Sequence, residues 1–141
     1  MEGGGSLPKP ERAAGGPLEM AVGVERSDQF TVEGPLLTDV GGTLGAAVLS
    51  TPGMIAMMER TAAVLSYERL PEGTATVGFE VCVKHVGAAA EGASCTVRAR
   101  LTEVIDDRKL FFDVEVLEGE RTIGVGTHQR RAIPVAPGPD G

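Results

Sequence analysis

The chain has 141 residues, 42% of them hydrophobic, and a formal charge of −7, which suits one domain with its own core. That charge excludes a nucleic-acid partner, because phosphate binding needs a concentrated basic face. No run approaches the roughly 20 apolar residues of a membrane helix, and the opening Met-Glu-Gly-Gly-Gly-Ser lacks the basic and apolar regions of a signal peptide, so no membrane association and a cytoplasmic location are expected.

Residues 1–18, rich in Gly and Pro and without apolar periodicity, are expected to form a disordered tail. Residues 19–134 make the folded domain, and 135–141 a second tail that frays. With no Trp, one Tyr and four Phe, the core must be built from aliphatic residues. Arg26–Glu33 places Phe30 and Val32 in alternation with polar residues, a strand signal. Residues 34–50 hold four glycines among small apolar residues and read as a loop or irregular helical stretch.

Gly53 to Leu70 is the clearest helix. Thr51-Pro52 reads as its start, with Thr as the cap and Pro at the first position, where its missing donor costs nothing. Met54, Met57, Met58, Thr61 and Leu65 recur at helical spacing, and Ile55, Ala56, Ala62 and Val64 make most of the remaining circumference apolar. Such a helix is a buried one, and Pro71 ends it.

From there the period changes to two. Val77, Phe79, Val81 and Val83 are expected to share one face. Cys95, Val97, Ala99 and Leu101 face inward, opposite Arg98 and Arg100; then come Leu110, Phe112, Val114 and Val116, and a fourth run through His128. One strand, one buried helix and four strands in a meander give an α+β architecture: a curved antiparallel sheet wrapped around one long central helix, which resembles the hotdog fold. A bare sheet edge and a partly covered helix call for a second copy, so a homodimer or a higher assembly is expected. Cys82 and Cys95 lack metal-ligand spacing and read as buried free thiols.

Charge on a buried helix is costly, which singles out Glu59. Its helical neighbours Ile55, Ala56, Ala62 and Ala63 cannot neutralise it. It is either an edge residue paired with another strand or a carboxylate tuned beside a cleft as base or nucleophile. His85 closes a long strand beside a Gly-rich turn, where an imidazole can reach a site; a surface histidine is the plainer alternative. His128 shares a face with Arg130 and reads as a structural residue or ligand contact. Thr51 by itself is a helix cap.

Taken together, Ser50-Thr-Pro-Gly-Met-Ile-Ala-Met-Met-Glu59, Val77-Gly-Phe-Glu-Val-Cys-Val-Lys-His85 and Gly126-Thr-His-Gln-Arg130 resemble the fluoroacetyl-CoA thioesterase branch of the hotdog superfamily. The Thr to Glu spacing of eight and the Glu to His spacing of 26 both match. The resemblance implies a thioester hydrolase acting on acyl-CoA, with Thr51, Glu59 and His85 catalytic. It makes Gly78 the backbone position beside the thioester and Arg130 a supporting or ligand residue, with Arg131 as its competitor. No metal and no cofactor beyond the CoA of the substrate is implied.

The family's aromatic lid has no counterpart in Asp39–Leu49, so a broader short or medium acyl group is expected. A hydratase or dehydratase, or a non-catalytic acyl-CoA binding module, are the alternatives. Lys84, Arg98, Arg100, Lys109, Arg130 and Arg131 are the candidates to meet CoA phosphates. A continuous helix would put Thr51 and Glu59 about 12 Å apart along its axis. Either Pro52-Gly53 turns the chain back, or Glu59 serves a different subunit's site.

Overall fold

A computed structural model of the chain describes residues 18–136; of the expected tails, 1–18 and 135–141, residues 1–17 and 137–141 lie outside the described residues. At the two margins the ordered unit reaches further than expected. Leu18, assigned to the first tail, is buried in a 3-10 turn over Leu18–Ala21, and Val135 donates its N–H to the Gly73 carbonyl.

The elements run β1 (Glu25–Thr31), a 3-10 turn (Gly34–Leu36), β2 (Leu37–Thr38), β3 (Val48–Leu49), α1 (Thr51–Tyr67), β4 (Thr74–His85), β5 (Ser94–Ile105), β6 (Lys109–Glu118) and β7 (Arg121–Pro134). The glycine-rich stretch expected to be loop or irregular helix is thus a small hairpin, with Leu37 opposite Leu49 and Thr38 opposite Val48. The five long strands form one antiparallel sheet in the order β1-β5-β6-β7-β4, with α1 packed chiefly on β4 and β5. This is the expected α+β hotdog arrangement.

The expected meander of four strands is corrected in one respect. Only β5, β6 and β7 are consecutive neighbours, and β4 lies beyond β7 at the far edge. Residues 86–93 therefore carry the chain across the end of the sheet. Alternation within a strand reports which face is buried and carries no information on lateral order.

A second correction concerns β4. The β4/β7 register shifts between Gly78 and Glu80, leaving Phe79 as an extra residue. An extra residue reverses the phase of the alternation. Val77 and Phe79 are therefore exposed, on the face opposite Val81 and Val83, rather than sharing one with them. Arg131 stacks over the Phe79 ring, its guanidinium carbon 3.7 Å from the centroid.

Elsewhere the alternation holds. Cys95, Val97, Ala99, Leu101, Leu110, Phe112, Val114 and Val116 are all buried and form the core with Met54, Met58, Ala62 and Leu65 of α1. Cys82 is exposed, contrary to the buried thiol expected, and only Cys95 is buried. Burial raises the Cys95 thiol's pKa, as does the charge of Glu118.

The cap of helix α1 lies one residue earlier than expected. Ser50 is the cap, its Oγ accepting the Gly53 N–H at 2.9 Å. Thr51 is the first helical residue, with Pro52 second, so the Thr51 hydroxyl is available for other work. The helix is buried at Met54, Met58, Thr61, Ala62, Val64, Leu65 and Ser66, while Ala56 is exposed and Ile55, Met57, Glu59 and Ala63 are half-covered. It is not enclosed all round within one chain.

Candidate functional site

The chemistry-bearing side chains gather in two clusters. At the first turn of α1, Thr51 Oγ1 lies 2.8 Å from His85 Nδ1. The hydroxyl comes from the residue after the cap and the imidazole from the last residue of β4. His85 Nε2 is buried and has no hydrogen-bond partner among the described residues. An imidazole held at one nitrogen with the other unsatisfied is equipped to meet a group that the isolated chain lacks. Beside it a hollow of about 280 Å³ is lined by Val48, Leu49, His85, Val86, Gly87 and Ala88, aliphatic apart from the ring.

The second cluster surrounds Glu59, two turns further along α1. A Cβ built on Gly78 would stand 2.7 Å from Glu59 Oε2, 3.6 Å from Arg130 Nη1 and 3.7 Å from His128 Cε1. Only a residue without a side chain lets those three groups converge there. Arg130 is buried at 7% exposure and tethered: Nε donates to Thr76 Oγ1 at 2.7 Å and Nη2 to the Thr76 carbonyl at 2.9 Å. Burial lowers the pKa of Arg130, and the charge of Glu59 opposes that shift. Burial also lowers that of His128.

The β4 bulge decides which residues face this side. Gly78 and His85 are seven positions apart, an odd number that would put them on opposite faces of a regular strand. With Phe79 as the extra residue, Gly78 pairs with Arg130 and His85 with Gly124, and both turn towards α1.

Of the residues singled out from sequence, Thr51 is thus joined to His85, and Glu59, Gly78 and Arg130 are joined to one another. The two groups do not meet within one chain. Thr51 and Glu59 lie in one helix, Thr51–Tyr67, about 12 Å apart along its axis, so the chain does not turn back at Pro52-Gly53. Thr51 partners His85 here, not Glu59. Arg131, the competitor of Arg130, points outwards over Phe79.

Among the other cations, Arg98 is paired with Glu115 at 2.5 Å. Arg98 and Arg100 line a hollow of about 520 Å³ with Glu25, Asp113 and Glu115; it is larger than the hollow at His85 but shares no residue with either cluster. Lys84 is exposed and Lys109 half-buried. Thr76 was not singled out from sequence, because its contact with Arg130 exists only if β4 and β7 are neighbours. Among the described residues no group of His, Cys, Asp and Glu is placed to hold a metal ion, and no helix is long and apolar enough to cross a membrane.

Comparison with known proteins bears on this geometry. The family model described as FlK, fluoroacetyl-CoA-specific thioesterase, matches residues 34–136. A fluoroacetyl-CoA thioesterase of Streptantibioticus cattleyicolor is 34% identical over 86 residues, and the match spans 61% of this chain and 61% of that protein's length. The solved structure of the fluoroacetyl-CoA thioesterase FlK superposes with a TM-score of 0.72 at 28% identity, covering 81% of this chain and 88% of that one. A hot-dog-like protein of Thermanaerovibrio acidaminovorans shares the fold, with a TM-score of 0.73 at 20% identity over 80% of this chain and 83% of its own.

Proposed function

Because the chain belongs to the FlK, fluoroacetyl-CoA-specific thioesterase, family, we propose that it hydrolyses an acyl-CoA thioester, at sites shared between the two copies of a homodimer. Each site combines Thr51 and His85 of one copy with Glu59, Gly78 and Arg130 of the other. The observation that carries this reading is the split of the five residues into two half-sites, with His85 Nε2 buried and unsatisfied.

Strand β4 supports the pairing. It is an edge of the sheet twelve residues long, and it exposes Val77 at 46% and Phe79 at 63%. A long edge with apolar side chains is a template for another strand. Two β4 strands running antiparallel about a two-fold axis between Val81 and Cys82 would set His85 of one copy across from the partner's Gly78. That register brings the partner's Glu59 to the Thr51–His85 pair and covers the half-exposed side of α1.

In such a site the acyl carbonyl lies over Gly78, where the backbone admits close approach. Glu59 attacks the carbonyl carbon or takes a proton from the water that does. Thr51 donates its O–H to His85 Nδ1, which leaves Nε2 protonated and facing the sulfur. As the carbon–sulfur bond breaks, His85 assists departure of the thiolate, a good leaving group with a reference thiol pKa near about 8.5. Water supplies the hydroxyl of the acid product, and CoA leaves as its thiol.

The acyl group is a short or medium one. The hollow beside His85 is aliphatic, and the β2–β3 hairpin that adjoins it is made of Gly, Ala, Thr, Leu and Val with one acid, Asp39, and no aromatic residue. A cytoplasmic location belongs to the same proposal, and the free state of Cys82 and Cys95 fits a reducing compartment.

Thiol release across a panel of acyl-CoA esters of increasing length tests the reading. Steady release, fastest on short or medium chains, is the expected result. Hydration of an enoyl-CoA without thiol release would make the protein a hydratase, and saturable binding with neither reaction would make it an acyl-CoA binding module.

A further inference from the structure

His128 lies on the inner face of β7, 2% exposed, and its two ring nitrogens meet partners of fixed character. Nδ1 is 2.8 Å from the main-chain oxygen of Glu80, an atom that can only accept. Nε2 is 3.2 Å from Arg130 Nη1, an atom that can only donate. One protonation state satisfies both: a proton on Nδ1 and a lone pair on Nε2. A cationic ring would point an N–H at the guanidinium and lose the second bond.

The surroundings favour that neutral ring. Burial lowers the His128 pKa, and the Arg130 charge acts in the same direction against the Glu80 carbonyl and the Glu59 charge. The charged groups facing His128 are Arg130 on its own strand and Glu59 on α1. Strand β4 offers the Glu80 carbonyl, and β6 offers the Phe112 ring, with centroids 6.2 Å apart.

Arg130 is thereby held at all three guanidinium nitrogens. Thr76 takes Nε and Nη2, and His128 takes Nη1. The held guanidinium and the Glu59 carboxylate converge over Gly78, Nη1 at 3.6 Å and Oε2 at 2.7 Å from a Cβ placed there. The Glu80 carbonyl at the start of this chain of bonds belongs to the residue that follows the β4 bulge. The same irregularity that turns Gly78 inwards thus also anchors the imidazole.

We propose that His128 is a positioning residue for the hydrolysis: as a neutral Nδ1–H imidazole it ties Arg130 to the bulged strand and so fixes the guanidinium that shares the space over Gly78 with Glu59. This rests on the proposed function, in which Glu59 is the reacting carboxylate. His128 itself touches no substrate. Its effect is on turnover rather than on binding.

His128→Phe preserves the ring and its stacking on Phe112 but removes both nitrogens. His128→Gln restores an amide able to donate and accept. The expected result for His128→Phe is a kcat lower by about tenfold or more and a KM within about twofold. In His128→Gln a large part of kcat returns.

Independently of activity, ¹⁵N spectra of the imidazole in the full-length wild type are expected to show a neutral Nδ1–H ring. The ring should stay neutral below the pH at which an exposed histidine protonates. A His128→Phe variant with wild-type kcat would overturn the proposal while leaving the hydrolysis reading intact. So would an Nε2–H or cationic ring in the ¹⁵N spectrum, which decides the matter even if the Phe variant does not fold. A wild type that releases no thiol from any ester would overturn both.

Discussion

Thr51 Oγ1 stands 2.8 Å from His85 Nδ1, while Glu59, on the helix that Thr51 opens, is turned towards Gly78 at the other end of the same strand. Along β4, Gly78 and His85 are separated by about 20 Å or more. In the proposed dimer each half-site meets its complement on the partner copy. Glu59→Gln and His85→Ala are each expected to lower kcat by well over about tenfold, the scale of a lost general acid or base, with fold and dimer intact.

Mixing the two variants separates a shared site from one formed within a single chain. A heterodimer of Glu59→Gln with His85→Ala has one site with both lesions and one with neither. Random reassociation is therefore expected to recover about a quarter of wild-type activity, and the isolated heterodimer about half. Two differently tagged chains, co-expressed and purified through both tags, provide the measurement. No recovery in a confirmed heterodimer would place the whole reaction inside single chains.

Gly78→Ala probes the convergence point directly. The added methyl would lie 2.7 Å from Glu59 Oε2, so the carboxylate must move by several tenths of an ångström. The backbone at Gly78 is not in the left-handed region, so alanine strains nothing else. Displacing a reacting group by up to about 1 Å costs as much as about a hundredfold in rate, and a loss of tenfold to that limit is expected with the melting temperature held. Steady-state kinetics beside a thermal melt would show it; wild-type kcat would mean that Glu59 does not work from this position.

How far the sequence reports this architecture differs from element to element. The inward alternation Cys95-Val97-Ala99-Leu101 and Leu110-Phe112-Val114-Val116 was readable because every second residue is apolar and every one is buried. The bulge at Phe79 was not, since an extra residue leaves the alternation Val77, Phe79, Val81, Val83 intact in the sequence and only reverses its phase in the strand. Ser50 and Thr51 are both residues that cap helices, and nothing local chooses between them; packing does, by giving the Thr51 hydroxyl to His85. The position of β4 beyond β7 is a long-range pairing, and with it went the Thr76–Arg130 contact. Thr51, Glu59 and His85 could be named from the resemblance to the family's pattern, but their division between two clusters is a property of the helix axis and the strand register.

Two glycines of β7 test the packing that holds the site. A Cβ on Gly124 would collide with Met54 Sδ and stand 2.9 Å from its Cε, and a flexible side chain can partly yield. A Cβ on Gly126 would collide with the Cys82 carbonyl and come within 2.6 Å of Val83 Cα, which is backbone and cannot yield without parting β4 from β7. Gly124→Ala is expected to cost about 1–3 kcal/mol, the ordinary range for overpacking, and Gly126→Ala more. Urea unfolding of both gives the order. A reversed order would mean that the two strands separate more easily than Met54 repacks.

Asp28 on β1 ties the first strand to the helix. Its carboxylate accepts the Thr61 hydroxyl at 2.7 Å and is paired with Arg26 at 3.0 Å. Burial raises its pKa, but the bonds from Thr61 and Arg26 and the charges of Arg26 and Arg60 outweigh that, leaving it below the ordinary 3.8. A carboxyl that binds its proton less tightly in the folded chain adds stability that is complete above its unfolded value and disappears as pH falls through the lower folded value. Asp28→Asn is therefore expected to lose about 1–2 kcal/mol near neutral pH, the scale of hydrogen bonds to a charged group. That deficit should shrink as the pH falls below 3.8, where the wild-type carboxyl takes up its own proton. Denaturant unfolding of both proteins from pH 7 down into the acid range would reveal the convergence; a deficit unchanged across that range would show that Asp28 contributes through its shape and not through its charge.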